Sequence, residues 1–336
     1  MQATDFGPDT QSATLRVAYQ PLSGQSSHGD LWPAGLLAAV RFGAATPVVD
    51  RAAAPLVIDV GLTPLHGPPT AELWFASGPV RTGRWSDGHG SAVRFAHDGQ
   101  HLFAVIELDE REHGGILLTA ERAYAAIAAF QQQSAFNHLL RMWNYMDAIN
   151  EGEGDTERYR QFCVGRVRGL GDVTQGYPSA TAIGRQQGDH VLQVFWLAGK
   201  HPGKAVENPR QVSAYHYPRV HGPVSPSFSR ALLAPDNTVL VSGTASIVGH
   251  VSQHHDDVME QLEETVRNLA ALNDHAGRER HFNGKELLKI YIRDGALTAP
   301  IAQRLRDLYP KSEMLFVAAD VCRRELLLEI EAVLSA

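Results

Sequence analysis

The sequence predicts an α+β fold made of two similar halves, each with helices packed on one face of a mixed sheet. Short runs alternate apolar and polar residues and are parted by Pro and Gly, the pattern of half-buried strands. Other segments carry apolar residues at helical spacing, as at Val258, Leu262, Val266, Leu269 and Leu272. The order of elements also repeats. Both halves read β-β-α-β-α-β-β, and LLRMWNYMD at 139–147 answers LLKIYIRDG at 287–295, which points to a duplication. Strands and helices mixed in this order make a layered α+β architecture.

The elements follow in chain order. Residues 1–14 are polar and read as a tail. Strand-like runs lie at 15–19, 36–42, 56–60 and 71–76, with a loop at Gly67-Pro68-Pro69. Residues 91–109 read as a hairpin turning at Asp98-Gly99. A helix is expected over 119–133 with Thr119 as N-cap, although Arg122 stands where a capping-box glutamate would. A strand over 139–146 puts Leu139, Arg141, Trp143 and Tyr145 on one face. A helix over 155–170 opens on an acidic cap, and strands at 180–185 and 190–198 join at Gly188-Asp189.

The second half gives a hairpin over 227–233 and 238–247 around Asp236-Asn237, then a helix over 256–273 and a strand over 286–293. A helix over 298–309 tolerates Pro300 in its first turn. Strands at 314–320 and 325–334 close it. The organisation expected is a first half over 1–200 including the tail, a connector over 201–226 and a second half over 227–336.

The chain has 336 residues, a size for two domains or one large one. Apolar content of 44% and charged content of 20% are ordinary globular values. A net charge of −7 argues against nucleic acid as a partner and leaves room for a local basic pocket. Two cysteines, Cys163 and Cys322, are too few for a disulfide framework and fit a reducing compartment. The N-terminus lacks a signal pattern, and the apolar stretch at 34–40 is too short to span a bilayer. A soluble, cytoplasmic protein without a membrane partner is expected.

The chemistry concentrates in a few stretches. In VCRRELLLEIEAVL, apolar Leu326, Leu328, Ile330 and Ala332 alternate with Glu329 and Glu331, which share the other face. On the residues alone that face suits solvent. In LVSGTASI at 240–247, a Gly inside a strand pattern marks a bulge or a close backbone approach. The connector NPRQVSAYHYPRVHGPVSPSFSRA holds Arg210, Arg219 and Arg230 with Tyr215, Tyr217 and Phe228; aromatics disfavour disorder, and arginines are planar forks for carboxylates. In WNYMDAINEGEGDTERYRQFCVGR a Gly-Glu-Gly-Asp loop leads into a helix start, a place for an anion, with Arg158 and Arg166 on one helix face. Single arginines also read as surface ion pairs. His250, His254 and His255 lack a third ligand in pattern, and HExxH, CxxC, GxGxxG, GxSxG and P-loop motifs are missing, so neither metal nor nucleotide is expected.

From about residue 227 to 334, the VSGxxxI strand, helix, strand, helix and closing EIEA strand resemble the RidA (YjgF) family. There the first glutamate of EIEA lies in an intersubunit pocket, which implies Glu329 here; the carboxylate-binding arginine expected near Met314 is missing. Taken together, RMWNYMDAINEGEGDTERYRQFCVGR, the connector, VSGTASIVGH and VCRRELLLEIEA resemble the chorismatase family from about residue 139 onward. The resemblance is greatest to the bacterial 3-hydroxybenzoate synthases, including those of the xanthomonadin pigment pathway that also make 4-hydroxybenzoate. It implies two RidA/YjgF-like halves, the first degenerate, with no cofactor, and chorismate as a substrate that loses pyruvate. Family members with Ala at the position of Cys322 hydrolyse chorismate to a dihydroxycyclohexadiene acid, and those with Cys make 3-hydroxybenzoate by way of an arene oxide.

On this reading Glu329 and Cys322 are the catalytic residues, Glu329 as acid and base and Cys322 in ring opening. A carboxyl in a partly apolar pocket can protonate the vinyl-ether methylene of chorismate. Tyr145, Arg158, Arg166, Tyr215, Tyr217, Arg230, Gly243 and Ala245 are the expected substrate-binding residues. An imine deaminase of RidA type and a non-catalytic small-acid sensor are the competing readings. The duplication can supply an intersubunit interface within one chain, which favours a monomer over a trimer.

Overall fold

A computed structural model describes residues 14–22, 32–43, 55–171, 176–186, 188, 190–277 and 286–335. Residues 1–13 of the expected 1–14 tail and residue 189 of the expected turn lie outside these. Four strands, β1 (Arg16–Pro21), β2 (Leu36–Phe42), β3 (Leu56–Asp59) and β4 (Thr70–Phe75), form a small sheet in the order β1-β4-β2-β3. Then come β5 (Arg81–Ser86), β6 (Ala92–His97), β7 (His101–Asp109), α1 (Glu110–His113), α2 (Ile116–Gln133), β8 (His138–Asp147), α3 (Arg158–Leu170), β9 (Ser179–Arg185) and β10 (Val191–Gly199). After them run β11 (Lys204–Val206), β12 (Ala231–Leu233), β13 (Val239–Thr244), β14 (Ile247–Val248), β15 (Val251–Ser252), α4 (Val258–His275), β16 (Glu286–Ile292), α5 (Thr298–Leu308), β17 (Glu313–Ala318), β18 (Asp320–Val321) and β19 (Leu328–Leu334).

The duplication is visible in the strand order. The second sheet runs β18-β9-β8-β10-β7-β6-β5 and the third β11-β12-β13-β19-β16-β17. Overlaying β6, β7, β10, β8 and β9 on β12, β13, β19, β16 and β17 matches every neighbour and its direction. The β8–β9 and β16–β17 pairs are both parallel and the rest antiparallel. Parallel neighbours need a crossover, and α3 and α5 supply it in the two halves. The two-residue strand β18 leaves the second half and pairs with β9 of the first, Val321 opposite Ile183.

Helices cover one face of each large sheet. Ala123, Tyr124, Ile127 and Phe162 pack on Met142, Met146, Val194 and Trp196 of the second sheet. Leu262, Leu269, Ile301 and Leu305 pack on Leu288, Ile290 and Ile330 of the third. The opposite faces meet in a central core of Trp143, Tyr145, Phe195, Leu240, Tyr291 and Val317, joined there by Val40, Phe42 and Trp74 of the small sheet. Burial of several such side chains, at about 1.5–3 kcal/mol each, ties the halves together. Among the described residues no helix is long and apolar enough to cross a membrane.

Several element limits differ from those expected. α2 starts at Ile116 with Gly115 as cap; the Thr119 hydroxyl donates to the Gly115 carbonyl and caps nothing. α3 starts at Arg158, because residues 154–156 form a separate 3-10 turn. Gly152 sits at φ +90°, and a Cβ there would lie 2.5 Å from the Thr156 carbonyl oxygen. α4 starts one residue past its Asp257 cap, whose carboxylate accepts from the Met259 and Glu260 N–H groups. β5 is polar and mostly exposed, as an outermost strand is, and its sequence carries no strand pattern. Lys204–Val206 of the expected connector is a strand on β12. The acidic face of β19 is not solvated: Glu329 and Glu331 are each 5% exposed and turn toward the first half.

Candidate active site

The segment between Cys322 and Glu329 changes sheets. Val321 is laddered to β9, residues 323–326 turn with the Leu326 N–H donating to the Arg323 carbonyl, and β19 begins at Leu328 in the third sheet. The strand expected over 325–334 is therefore shorter, and the turn before it lets Cys322 and Glu329, seven residues apart, face the same way. Both line one cavity of about 380 Å³ between the halves. α3 and β9 form its wall on the first half. The connector from Tyr217 to Arg230, the stretch from Gly243 to Ile247, and the turn into β19 form the rest. That volume suits a small molecule.

Glu329 is placed by a bulge. The β13–β19 register slips between Val241 and Thr244, which puts Gly243 under the Glu329 carboxyl. A Cβ on Gly243 would fall 1.8 Å from Glu329 Oε1, so the close approach signalled by VSGTAS is to a side chain of its own sheet. Among the described residues the Glu329 carboxyl has neither hydrogen bond nor ion pair. Burial, reinforced by the charge of Glu331, pushes it up to about 8, against the pull of Arg141 and Arg230. Burial, then the charge of Glu329, pushes the Cys322 thiol well above the usual thiol range.

Glu331 has the opposite surroundings. It accepts from Arg141 Nη2 (2.8 Å), Trp143 Nε1 (2.9 Å), Thr181 Oγ1 (2.7 Å), Lys289 Nζ (2.8 Å) and the Tyr291 hydroxyl (3.0 Å). Burial alone would raise its carboxyl; Lys289 and Arg141 with these bonds hold it down at about 2. Lys289 also pairs with Glu72 of β4 at 2.7 Å, which ties the small sheet into the network. In the repeat, Arg141 matches Lys289 and Trp143 matches Tyr291. On β19, Glu331 and Glu329 stand opposite Lys289 and Tyr291; on β10, Leu197 and Phe195 stand opposite Arg141 and Trp143. The first half thus lacks both carboxylates, and two equivalent cations converge on the single Glu331.

Arg166, Arg230, Arg323 and Arg324 line the cavity, and among the described residues none is in an ion pair. Their bonds go to neutral groups. Arg166 Nη2 donates to the Ser227 carbonyl (2.8 Å), and Arg230 Nη2 to the Val212 carbonyl (2.9 Å) and the Tyr217 hydroxyl (2.6 Å). Arg323 Nη1 donates to the His250 carbonyl and the Ser252 hydroxyl, both at 3.0 Å. Arg324 donates to the carbonyls of Asn150 and Gly152. Arg166 Nε and Arg230 Nε are buried without a partner among the described residues. The guanidiniums of Arg230 (5.4 Å) and Arg323 (5.2 Å) both lie near the Tyr217 ring. His221, whose Nε2 is 3.0 Å from His250 Nδ1, is lowered to about 4 by burial and then by the Arg323 charge. Arg160, which pairs with Glu157, also lines the cavity, as do Glu153, Glu157 and Glu325. The lining is therefore rich in cations, and Glu329 is the carboxyl in it that burial raises.

Comparison with known proteins follows the same lines. The family model "Chorismatase FkbO/Hyg5-like, N-terminal" matches residues 72–198. A chorismatase of Streptomyces rapamycinicus is 33% identical over 286 residues, covering 79% of this chain and 82% of that protein. The chain belongs to the chorismatase family. A 3-hydroxybenzoate synthase of Streptomyces hygroscopicus is 28% identical over 296 residues, covering 82% of this chain and 84% of that one. A crystal structure of chorismatase superposes with a TM-score of 0.82 at 26% identity, covering 97% of this chain and 100% of that one.

Of the site residues expected from the sequence of this chorismatase-family chain, Glu329, Cys322, Arg166, Tyr217, Arg230, Gly243 and Ala245 line the cavity. Tyr145, Arg158 and Tyr215 do not. The Tyr145 hydroxyl is in the central core, 2.7 Å from that of Tyr291. Arg158 turns from the Arg166 side of α3 and forms a two-pronged pair with Glu110, both bonds 2.8 Å. Tyr215 packs against Tyr177 in a tilted pair, with ring centroids 5.1 Å apart. Arg210 and Arg219 pair with Glu264 and Asp155. Sequence reasoning passed over Arg323 and Arg324, which fall between two expected strands, and Arg141, Thr181 and Lys289. A cation within an otherwise apolar strand, as in LLRMW and LLKIY, was the available signal for Arg141 and Lys289.

Proposed function

We propose that the protein is a chorismatase that converts chorismate to 3-hydroxybenzoate and pyruvate, with Glu329 as the proton donor. The observation that carries this is a carboxyl raised to about 8 in a cavity lined by four arginines without ion pairs. An acid that still holds its proton near neutrality fits protonation of an enol-ether carbon. Arginines free of carboxylate partners fit a substrate with two carboxylates. The relatives named 3-hydroxybenzoate synthase and chorismatase support the same reaction.

Glu329 gives its proton to the methylene carbon of the side chain, forming a C–H bond and drawing electrons from the ether oxygen. The ring C–O bond breaks, and the side chain leaves as pyruvate. The 4-hydroxyl oxygen closes on the vacated ring carbon, and its proton returns to the Glu329 carboxylate. Arg141 Nη1, buried without a partner among the described residues, is available as a donor while that carboxylate is charged. The arene oxide then opens at the neighbouring carbon and aromatises, with Cys322 beside it. The products contain the atoms of chorismate, so this route consumes neither water nor a redox partner. Both walls of the cavity come from one chain, which supports a working monomer.

The test is incubation with chorismate, following pyruvate through lactate dehydrogenase and the ring product by chromatography. The expected result is pyruvate and 3-hydroxybenzoate in equal amounts. A dihydroxycyclohexadiene acid in its place would make the protein a hydrolase of chorismate. Absence of pyruvate would overturn the reading, and a positive amino-acrylate assay would then favour the imine deaminase.

A further inference from the structure

Thr181, on β9 of the first half, lines the cavity, and its hydroxyl is saturated. It donates to Glu331 Oε2 at 2.7 Å and accepts from Arg141 Nη2 at 2.5 Å and from the Gly243 N–H at 3.0 Å. One donor and two lone pairs are all that a hydroxyl has, so its orientation is fixed. The Gly243 N–H is available to it because the bulge interrupts the β13–β19 ladder at that residue. Gly243 is also where the Glu329 carboxyl rests. A single side chain of the first half therefore grips Gly243, the seat of Glu329, and Glu331, both in the other half, together with Arg141 of its own sheet.

We propose that Thr181 is a positioning residue for the reaction: its hydroxyl fixes the Gly243 bulge beneath Glu329 and holds Glu331 and Arg141 at their places beside it. This rests on Glu329 being the proton donor. The charged and titratable groups bearing on Glu329 are Glu331 of its own strand, Arg141 of β8, Arg230 of the connector and Cys322 before β19. Thr181 touches the first two. Removing its hydroxyl leaves Arg141 held by Glu331 alone, able to shift toward Glu329 and stabilise the carboxylate, so that the acid loses its proton at lower pH.

Thr181→Ser, Thr181→Ala and Thr181→Val separate the hydroxyl from the methyl. Thr181→Ser keeps the three hydrogen bonds and is expected to retain activity within about threefold. Thr181→Ala and Thr181→Val are expected to lower kcat at least about tenfold, the equivalent of one lost hydrogen bond, with KM within about threefold and the alkaline limb of the kcat profile at lower pH. Should Thr181→Val not fold, the comparison of Ala with Ser still isolates the hydroxyl. Wild-type activity in Ala or Val, equal losses in Ser and Ala, or a change confined to KM would each overturn the proposal. Infrared pH-difference spectra of the protonated carboxyl read the same point without turnover. If wild type released no pyruvate, the proposed function would fall, and an unshifted Glu329 titration in Thr181→Ala would separately sink the role of Thr181.

Discussion

Glu329 Oε1 occupies space that any side chain on Gly243 would need: a Cβ there would stand 1.8 Å away. The bulge and the acid are thus one arrangement, and a methyl group is enough to disturb it. Gly243→Ala is expected to displace the Glu329 carboxyl while the β13–β19 ladder on either side persists. Pyruvate release should fall by about a hundredfold, the scale of general acid catalysis, with a melting temperature near that of wild type. Activity unchanged by this substitution would mean that the carboxyl is not held where it must act.

The two glutamates of β19 should move stability in opposite pH directions. Glu329 is raised above its unfolded value, so its stabilising contribution is present below the ordinary glutamate range and is lost as pH rises through about 8. Glu331 is lowered, so its contribution is present above that range and is lost as pH falls through about 2. Melting curves should therefore show Glu329→Gln gaining on wild type from about pH 5 to about pH 9. Glu331→Gln is expected to cost about 3–5 kcal/mol at neutral pH, because it leaves buried Arg141 and Lys289 short of a countercharge. A Glu331→Gln protein as stable as wild type would contradict the network.

Cys322 faces the same cavity from the turn where the chain changes sheets. Cys322→Ala is expected to keep pyruvate release, since Glu329 remains, and to move product from 3-hydroxybenzoate toward a non-aromatic dihydroxy acid. Chromatography of the products decides it. An unaltered 3-hydroxybenzoate peak at normal yield would reduce Cys322 to a small packing residue.

The duplication, the helix-covered sheets and the two ends of the site were legible in periodicity and in the VSGTAS and EIEA strands. Contacts between distant strands were not. Alternation put Glu329 and Glu331 on one face correctly, but a face of mixed charge reads as solvated until Arg141 and Lys289 are brought against it. Tyr145 shares a face with Arg141 and Trp143, and that face is the central core, a place for packing rather than for substrate. Arg158 looked available because its partner Glu110 lies 48 residues upstream in another element. Arg323 and Arg324 were hidden because they fall between two expected strands, and the turn there places them in the cavity wall.

The most direct measurement is pyruvate release from chorismate by Glu329→Gln beside wild type. Glutamine keeps the size of the side chain and removes only the transferable proton. The account predicts that wild type releases pyruvate and that the variant, still folded and still binding chorismate, falls by about 10²–10⁴-fold or more. Turnover by Glu329→Gln near the wild-type rate would contradict it.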